Sequence, residues 1–377
     1  MMWQDRANKV IAQGCLTYSK RSDQFVNGVY PTHCFYPLDN NRIIGSNGAL
    51  YSDFVSGLGA NISGIDGCTT LPTTREVELA ELICSRVNCI DKLRFVNSGG
   101  DACLAAVRIA RAYTGRSVVV GSGYHGCGNM FIAAEIPGRG CVDEKYVKCG
   151  GLKEVIMKVL EVKPAAAIVE PVELNIDVLD DLRALRNACD ECGTMLIFDE
   201  VITGWRVPDY TFSNRFFINP DLICLGKAVG NGHPVAVVGG ISDVMDTDGW
   251  FISYTYAGYY PAINAAYNHV MSIDRDDIMN LWNRGGRFIE RFNKITPEIQ
   301  LHGYPTRCVW VGDDTYKAIF WQEMCKRKYL LGKAFFLRHD HTEDVLNEFI
   351  SVSRECVGLI DSGATLDGDL PREVFKR

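Results

Sequence analysis

Five short runs of wholly apolar residues constrain the fold of this chain more than any other feature: Val118 to Val120, Ala166 to Val169, Met195 to Phe198, Leu222 to Leu225 and Val235 to Gly239. Each is too short for a helix, and none alternates polar with apolar positions as a strand with one wet face does. Strands apolar on both sides are covered on both sides, which is the condition of a mainly parallel sheet packed between helices. The intervening segments supply those helices. Thr74 to Asn88 places Val77, Leu79, Ala80, Leu82 and Ile83 near helical spacing, with acids early and Arg86 late, as the helix dipole favours. Leu93 to Val96 reads as a further strand, Asn97-Ser98-Gly99-Gly100 as a turn, and Asp101 to Thr114 and Leu179 to Cys192 as helices.

Past about Tyr259 the pattern changes. Helical stretches at Ala262 to Ile273 and Ile278 to Lys294 lead to strand candidates near Cys308 to Val311 and Phe335 to Arg338, then to a final helix from Glu343 to Leu359. The expected organisation is α/β, with a large domain over residues 51–258 and a smaller C-terminal α+β domain over 259–377. Residues 1–50 form an N-terminal segment expected to pack on the small domain or on a partner subunit.

Charge and composition narrow the partners. With 39 Lys and Arg against 46 Asp and Glu, the net charge of −7 gives no general attraction to nucleic acid or to anionic membranes. A small-molecule substrate is the expectation, and nucleic acid is disfavoured as a partner. The N-terminus carries Asp5, Arg6 and Lys9 and no signal-like apolar stretch, and no later run approaches membrane-spanning length, so a cytoplasmic location is expected. The 15 cysteines are scattered through apolar segments, for example Cys84, Cys103 and Cys224, as reduced thiols in a core are. Cys189 and Cys192 form a C-x-x-C without a second pair, and His339-Asp340-His341 reads as a solvated face, so no metal site is expected.

In an open parallel sheet, ligands gather at the carboxyl ends of the strands. The polar residues there are Ser98-Gly99-Gly100, Tyr124-His125, Glu170 with Asn175, Asp199-Glu200 and Lys227. Ser98-Gly99-Gly100 opens a helix and suits a phosphate, although a plain capped turn explains it equally well. Asp199 ends an apolar strand, so a part-buried acid there needs a cationic partner. Lys227 also ends an apolar strand, where desolvation would lower its pKa and sharpen its nucleophilicity. The bland alternative is that Asp199 and Lys227 pair with each other as a structural salt bridge. Phosphate cradle, aromatic ring, buried acid and lysine together are what pyridoxal phosphate asks of a protein. The competing reading is a dinucleotide loop, because Gly121 to Gly126 spells GSGYHG. Neither a helix after Gly126 nor a ribose-binding acid at the end of the next strand is convincing, so the phosphate site is placed at Ser98-Gly99-Gly100 instead.

At these residues the chain resembles the class III pyridoxal-phosphate aminotransferases, and among them the glutamate-1-semialdehyde 2,1-aminomutase-like group. The motifs are PTTREVELAELI, RFVNSGGDACLAAVRIARAYTGR, GYHG, AAAIVEPV, LIFDEVITGWRV, PDLICLGKAVGNGHPVAVVGG and Tyr254-Thr255-Tyr256-Ala257-Gly258, in order between about Thr17 and Val345. The resemblance implies a fold-type I transferase in which Lys227 is the catalytic Schiff-base lysine and Asp199 the pyridine-nitrogen partner. It further implies that Tyr124, with His125 beside it, lies on the ring, that Val201 packs on the other face, and that Ser98, Gly99 and Gly100 hold the phosphate. Gly100 stands where the family usually has Thr. Glu170 and Asn175 fall near the cofactor, Asn175 resembling the residue by its 3′-oxygen. Thr255 resembles a threonine that reaches the phosphate of a neighbouring subunit, which implies a homodimer with shared active sites.

Two departures bear on substrate. Gly128 to Pro164 and Leu174 to Asp180 are shorter than in the family, and Lys333 stands where the aminomutases carry an acidic gate. The implied function is amino transfer to or from a carbonyl substrate. The alternative is an aminomutase, decarboxylase or rearrangement enzyme acting on an unusual, bulky amine such as a nucleotide- or nucleic-acid-linked one.

Overall fold

The structure is a computed structural model that describes residues 2–26, 28–39, 42–61, 67–131 and 145–371. Much of the shortened segment from Gly128 to Pro164, residues 132–144, lies outside the described residues. The chain divides into two compact units. The first comprises Met1–Pro171, Leu179–Trp205 and Asp209–Asp274, the second Val172–Val178, Arg206–Pro208 and Arg275–Arg377.

The first unit opens with a small antiparallel sheet of β1 (Cys34–Asp39), β2 (Arg42–Gly45) and β3 (Leu50–Ser52). Its centre is a seven-stranded sheet of β4 (Lys92–Val96), β5 (Val119–Ser122), β6 (Tyr146–Lys148), β7 (Ala166–Val169), β8 (Met195–Asp199), β9 (Leu222–Leu225) and β10 (Ala236–Gly240). The spatial order is β4-β10-β9-β8-β7-β5-β6. Five strands pair in parallel, whereas β10 runs antiparallel to both β9 and β4. The apolar runs are buried along their length, as strands covered on both faces require.

The helix Gly99–Thr114 lays Ala102, Cys103, Ala105, Ala106, Ile109 and Ala110 into the core around this sheet. Its small residues allow close approach, and Gly115, with φ +66, ends it in the left-handed conformation. The helix Thr74–Arg86 starts with a capping box, in which Thr73 and Glu76 satisfy each other's backbone donors.

From Arg275 onward the chain belongs to the second unit, and residues 1–50 belong to the first. The helix Tyr260–Ser272 packs on Thr74–Arg86: Arg86 donates to the carbonyls of Val270 and Ile273, and the Arg75 guanidinium lies 4.1 Å from the Tyr267 ring centroid. The N-terminal segment is held by Arg94 of β4, whose wholly buried guanidinium donates to the carbonyls of Ala12, Leu16 and Ile252 and to Gln13 Oε1. Arg6 adds a paired contact to Glu81 at 2.6 and 2.8 Å.

The second unit holds an antiparallel sheet of β11 (Ile299–Tyr304), β12 (Arg307–Gly312) and β13 (Ala334–Phe336) with the helices Arg275–Phe292, Asp314–Lys326 and Glu343–Asp361. Phe288, Phe292, Trp310, Phe320 and Phe349 form its aromatic core. Among the described residues no helix is long and apolar enough to cross a membrane. The described cysteines are free, and Cys189 and Cys192 are buried.

Candidate active site

The carboxyl ends of β4, β5, β7, β8 and β9 face one edge of the central sheet, as the paired registers Val96 with Ala236, Leu225 with Val237 and Asp199 with Cys224 require. At the end of β4, Ser98 caps the helix Gly99–Thr114. Its Oγ accepts the Asp101 N–H at 3.2 Å and donates to Asp101 Oδ2 at 2.8 Å, while its carbonyl accepts the Ala102 N–H at 3.0 Å. The Gly99 and Gly100 N–H groups have no acceptor among the described residues. Ser98 thus satisfies the deeper donors and leaves the outer two at the positive end of a 16-residue helix.

The loop after β5 carries Tyr124 and His125 between two glycines of positive φ, Gly123 at +100° and Gly126 at +98°. A Cβ on Gly126 would lie 2.7 Å from Gly100 Cα, so this loop rests directly against the Ser98 turn. The Tyr124 N–H donates to Glu170 Oε1 at 2.9 Å, which ties the loop to the end of β7. The Tyr124 side chain is half exposed.

Val201 is the point where three strand ends meet. Its N–H donates to Asp199 Oδ1 at 3.1 Å. A Cβ built on Gly99 would come within 2.5 Å of Val201 Cγ1, and one on Gly226 within 3.3 Å of the same methyl. Gly226 precedes Lys227, which starts a short 3-10 turn with φ +42. A lysine in the left-handed region costs roughly 1–2 kcal/mol, a strain that the surrounding contacts must hold. Lys227 is exposed, so the desolvation expected from its place after an apolar strand is not found.

Asp199 is 6% exposed, and its partners are not the lysine. Its Oδ2 lies 2.8 Å from His125 Nδ1 and accepts the Cys103 thiol at 3.3 Å. An imidazole and a thiol hold this acid, and the Asp199–Lys227 salt bridge is not formed. His125 is wholly buried, edge-on to Phe131 at 5.4 Å. Cys103, His125 and Asp199 are the potential metal donors grouped within 4.8 Å among the described residues, but 2.8 and 3.3 Å are hydrogen-bond lengths.

Glu200, next along the chain, is fully buried and accepts from Thr203 Oγ1 and from the N–H groups of Phe212 and Ser213. Burial pushes its carboxyl up to about 7, against the pull of those donors.

Ser98, Gly99, Gly100, Tyr124, His125, Glu170, Asp199, Val201 and Lys227 are therefore linked through one set of loops in the first unit. Thr255 lies in the turn Thr255 to Gly258, where its carbonyl accepts the Cys68 thiol at 3.8 Å. Asn175 belongs to the second unit, is exposed, and accepts the Asp177 N–H at 3.0 Å. Sequence reasoning missed the contact of Cys103 with Asp199, because a cysteine in an alanine-rich helix reads as core filling.

Residues 131–296 match the family model for class-III aminotransferases. Glutamate-1-semialdehyde 2,1-aminomutase of Halobacterium salinarum is 30% identical over 359 residues, covering 80% of this chain and 78% of that protein. The chain belongs to the class-III aminotransferase family. The glutamate-1-semialdehyde 2,1-aminomutase of Desulforapulum autotrophicum is 34% identical over 246 residues, and the match spans 55% of this chain and 57% of that protein. Among solved structures, the β-phenylalanine aminotransferase of Variovorax paradoxus superposes with TM-score 0.72 at 22% identity over 92% of both chains. The Sphingopyxis sp. MTA144 FumI protein, solved with pyridoxal phosphate, gives TM-score 0.72 at 20% identity over 96% of this chain and 97% of that one. The fold is therefore that of the pyridoxal-phosphate transaminases.

Proposed function

We propose that this chain is a pyridoxal-phosphate-dependent aminotransferase that moves an amino group between small amine and carbonyl compounds, with Lys227 as the residue that tethers the cofactor. The convergence on Val201 carries the reading, since it brings a helix N-terminus, a buried carboxylate and a strained lysine to one point. The residues fit the cofactor. The unengaged N–H groups of Gly99 and Gly100 suit a phosphate, and the absence of a Cβ at both lets it come close. Asp199 suits a protonated ring nitrogen, and the Tyr124 ring suits one face of the heterocycle, with Val201 on the other.

When bound, pyridoxal phosphate supplies a ring that draws electron density from the carbon carrying the amino group. Lys227 Nζ takes the proton from that carbon and returns it elsewhere, acting as base and then acid at one atom. Asp199 keeps a proton at the ring nitrogen. In the same reading, Thr255 serves the phosphate of a second copy in a homodimer.

Amino transfer is preferred to a strict glutamate-semialdehyde mutase because Lys333, exposed in the second unit, stands where those mutases carry an acidic gate. The test has two stages. Borohydride reduction followed by peptide mass analysis is expected to place the cofactor mass on the peptide containing Lys227, and a Lys227→Ala protein carries none. Incubation with candidate amines alone then gives the pyridoxamine form and a released carbonyl compound. Failure to take up the cofactor sinks the whole reading, whereas an isomerised product or carbon dioxide replaces transfer with mutase or decarboxylase chemistry.

A further inference from the structure

We infer that Cys103 is a positioning residue that acts on the cofactor's ring nitrogen through Asp199. The inference rests on the reading that Asp199 faces that nitrogen.

An ionised carboxylate offers about four lone-pair directions. In Asp199 the Val201 N–H takes one on Oδ1, while His125 Nδ1 and the Cys103 thiol both address Oδ2. The capacity left over is on Oδ1. The terminal torsion of an aspartate is broad, so a carboxylate held by one donor swings over a wide range of angles. Two donors on the same oxygen, one from a helix and one from the loop after β5, remove that freedom. The carboxylate plane, and with it the lone pair left on Oδ1, is then held in one direction.

The origin of the thiol adds a second constraint. Cys103 lies one turn along the helix whose N-terminus carries Gly99 and Gly100, and residues three and four apart share a face. One rigid element therefore bears both the phosphate cradle and the group that orients the acid. The distance between the anchor for the phosphate and the anchor for the ring nitrogen is set by a single helical turn rather than by the spacing of separate loops. The thiol is suited to this task because it stays protonated. The neighbouring Cys224 thiol, burial and the Asp199 carboxylate all hold Cys103 well above the ordinary thiol range, so it remains a donor.

A cysteine that merely fills the core would contribute packing and nothing specific to nitrogen, and the two roles separate with a cofactor analogue. Pyridoxal phosphate and its 1-deaza analogue, in which carbon replaces the ring nitrogen, are titrated into the apo forms of the natural protein, Cys103→Ala, Cys103→Val and Cys103→Ser. Wild-type protein is expected to bind pyridoxal phosphate more tightly than the deaza analogue. Cys103→Ala and Cys103→Val weaken pyridoxal phosphate about fivefold, the scale of one ordinary net hydrogen bond, and leave the deaza analogue within about twofold. Cys103→Ser, which keeps a donor, recovers most of the loss. Valine fills the thiol's space, so it serves should the alanine protein fold poorly. Equal weakening of both ligands, or no change in either, overturns the inference. If instead Asp199→Ala leaves the preference for the nitrogen-bearing ligand untouched, the reading of Asp199 itself fails.

Discussion

Asp199 Oδ2 and His125 Nδ1 lie 2.8 Å apart with both side chains withdrawn from water, so the acid that ends β8 is held by a residue 74 positions earlier in the chain. Removing the imidazole leaves a buried carboxylate short of a donor and opens space beside Phe131. His125→Ala is expected to lose on the order of 2–3 kcal/mol of stability and about tenfold in pyridoxal-phosphate affinity. Calorimetric unfolding and cofactor titration read the two effects separately. An unchanged melting temperature would mean that the pair contributes nothing to the fold.

Gly99 and Val201 form a contact that tolerates no added atom, because a Cβ at Gly99 would sit 2.5 Å from Val201 Cγ1. Gly99→Ala is expected to displace Val201 and with it the N–H that holds Asp199, lowering cofactor affinity about tenfold. The double variant Gly99→Ala with Val201→Ala makes room again, so its loss should be smaller than the sum of the single losses. A double-mutant cycle for cofactor affinity measures this coupling, and strict additivity would show that the two positions act apart.

Arg94 is wholly buried with no carboxylate partner among the described residues, its charge spread over backbone carbonyls, Gln13 Oε1 and the Tyr18 and Trp250 rings at 5.2 and 4.8 Å. Burial lowers its pKa, the mark of a cation held by neutral acceptors alone. Arg94→Met preserves the stem but strands the carbonyls of Ala12, Leu16 and Ile252. A loss of about 3 kcal/mol is expected, with faster amide exchange over residues 11–18 and 250–254. Exchange that accelerates uniformly across the chain instead would place Arg94 in global rather than local stability.

Glu200 gives the first unit a pH dependence with a definite sign. Its carboxyl is raised to about 7 in the fold from an ordinary value near 4.5, so between those limits the folded chain binds a proton that the unfolded chain does not. This contribution to stability is complete below about pH 4.5, falls as pH rises, and is gone above about 7. Its span is at most on the order of 3 kcal/mol. Glu200→Gln removes the ionisation and places an amide against the Phe212 and Ser213 N–H groups, so the variant is expected to be less stable but flatter with pH. Unfolding temperatures of both proteins between pH 5 and 8 test this, and parallel curves would exclude Glu200 as the source.

The central strands were legible because residues such as Leu196, Ile197 and Phe198 are apolar on both faces, a pattern that only a covered strand satisfies. Asp199 and Lys227 were legible as polar residues closing such runs. Strand direction was not: Val237 and Val238 read the same in either sense, and only pairing reveals that β10 is antiparallel. The helix Asp314–Lys326 escaped notice because Ala318, Ile319, Phe320, Trp321 and Met324 wrap around it instead of forming a stripe. The boundary after Asp274 depends on where Tyr267 and Val270 dock, a tertiary contact that local pattern does not encode. The roles of His125 and Cys103 stayed hidden for a similar reason, since both are defined by an acid distant in sequence.

The antiparallel strand β10 has a consequence for how such an enzyme can diversify. Residues 226–235 return the chain from β9 into a strand hydrogen-bonded on both sides, with Ala236 opposite Val96 and Val237 opposite Leu225. A one-residue slip of β10 would break two ladders at once and swap the side chains packed on its two covered faces. The lysine-bearing turn is thus frozen in length by its neighbours. New chemistry has to be acquired by lengthening or trimming other loops, and the chain can be re-engineered for new substrates only at sites away from that turn.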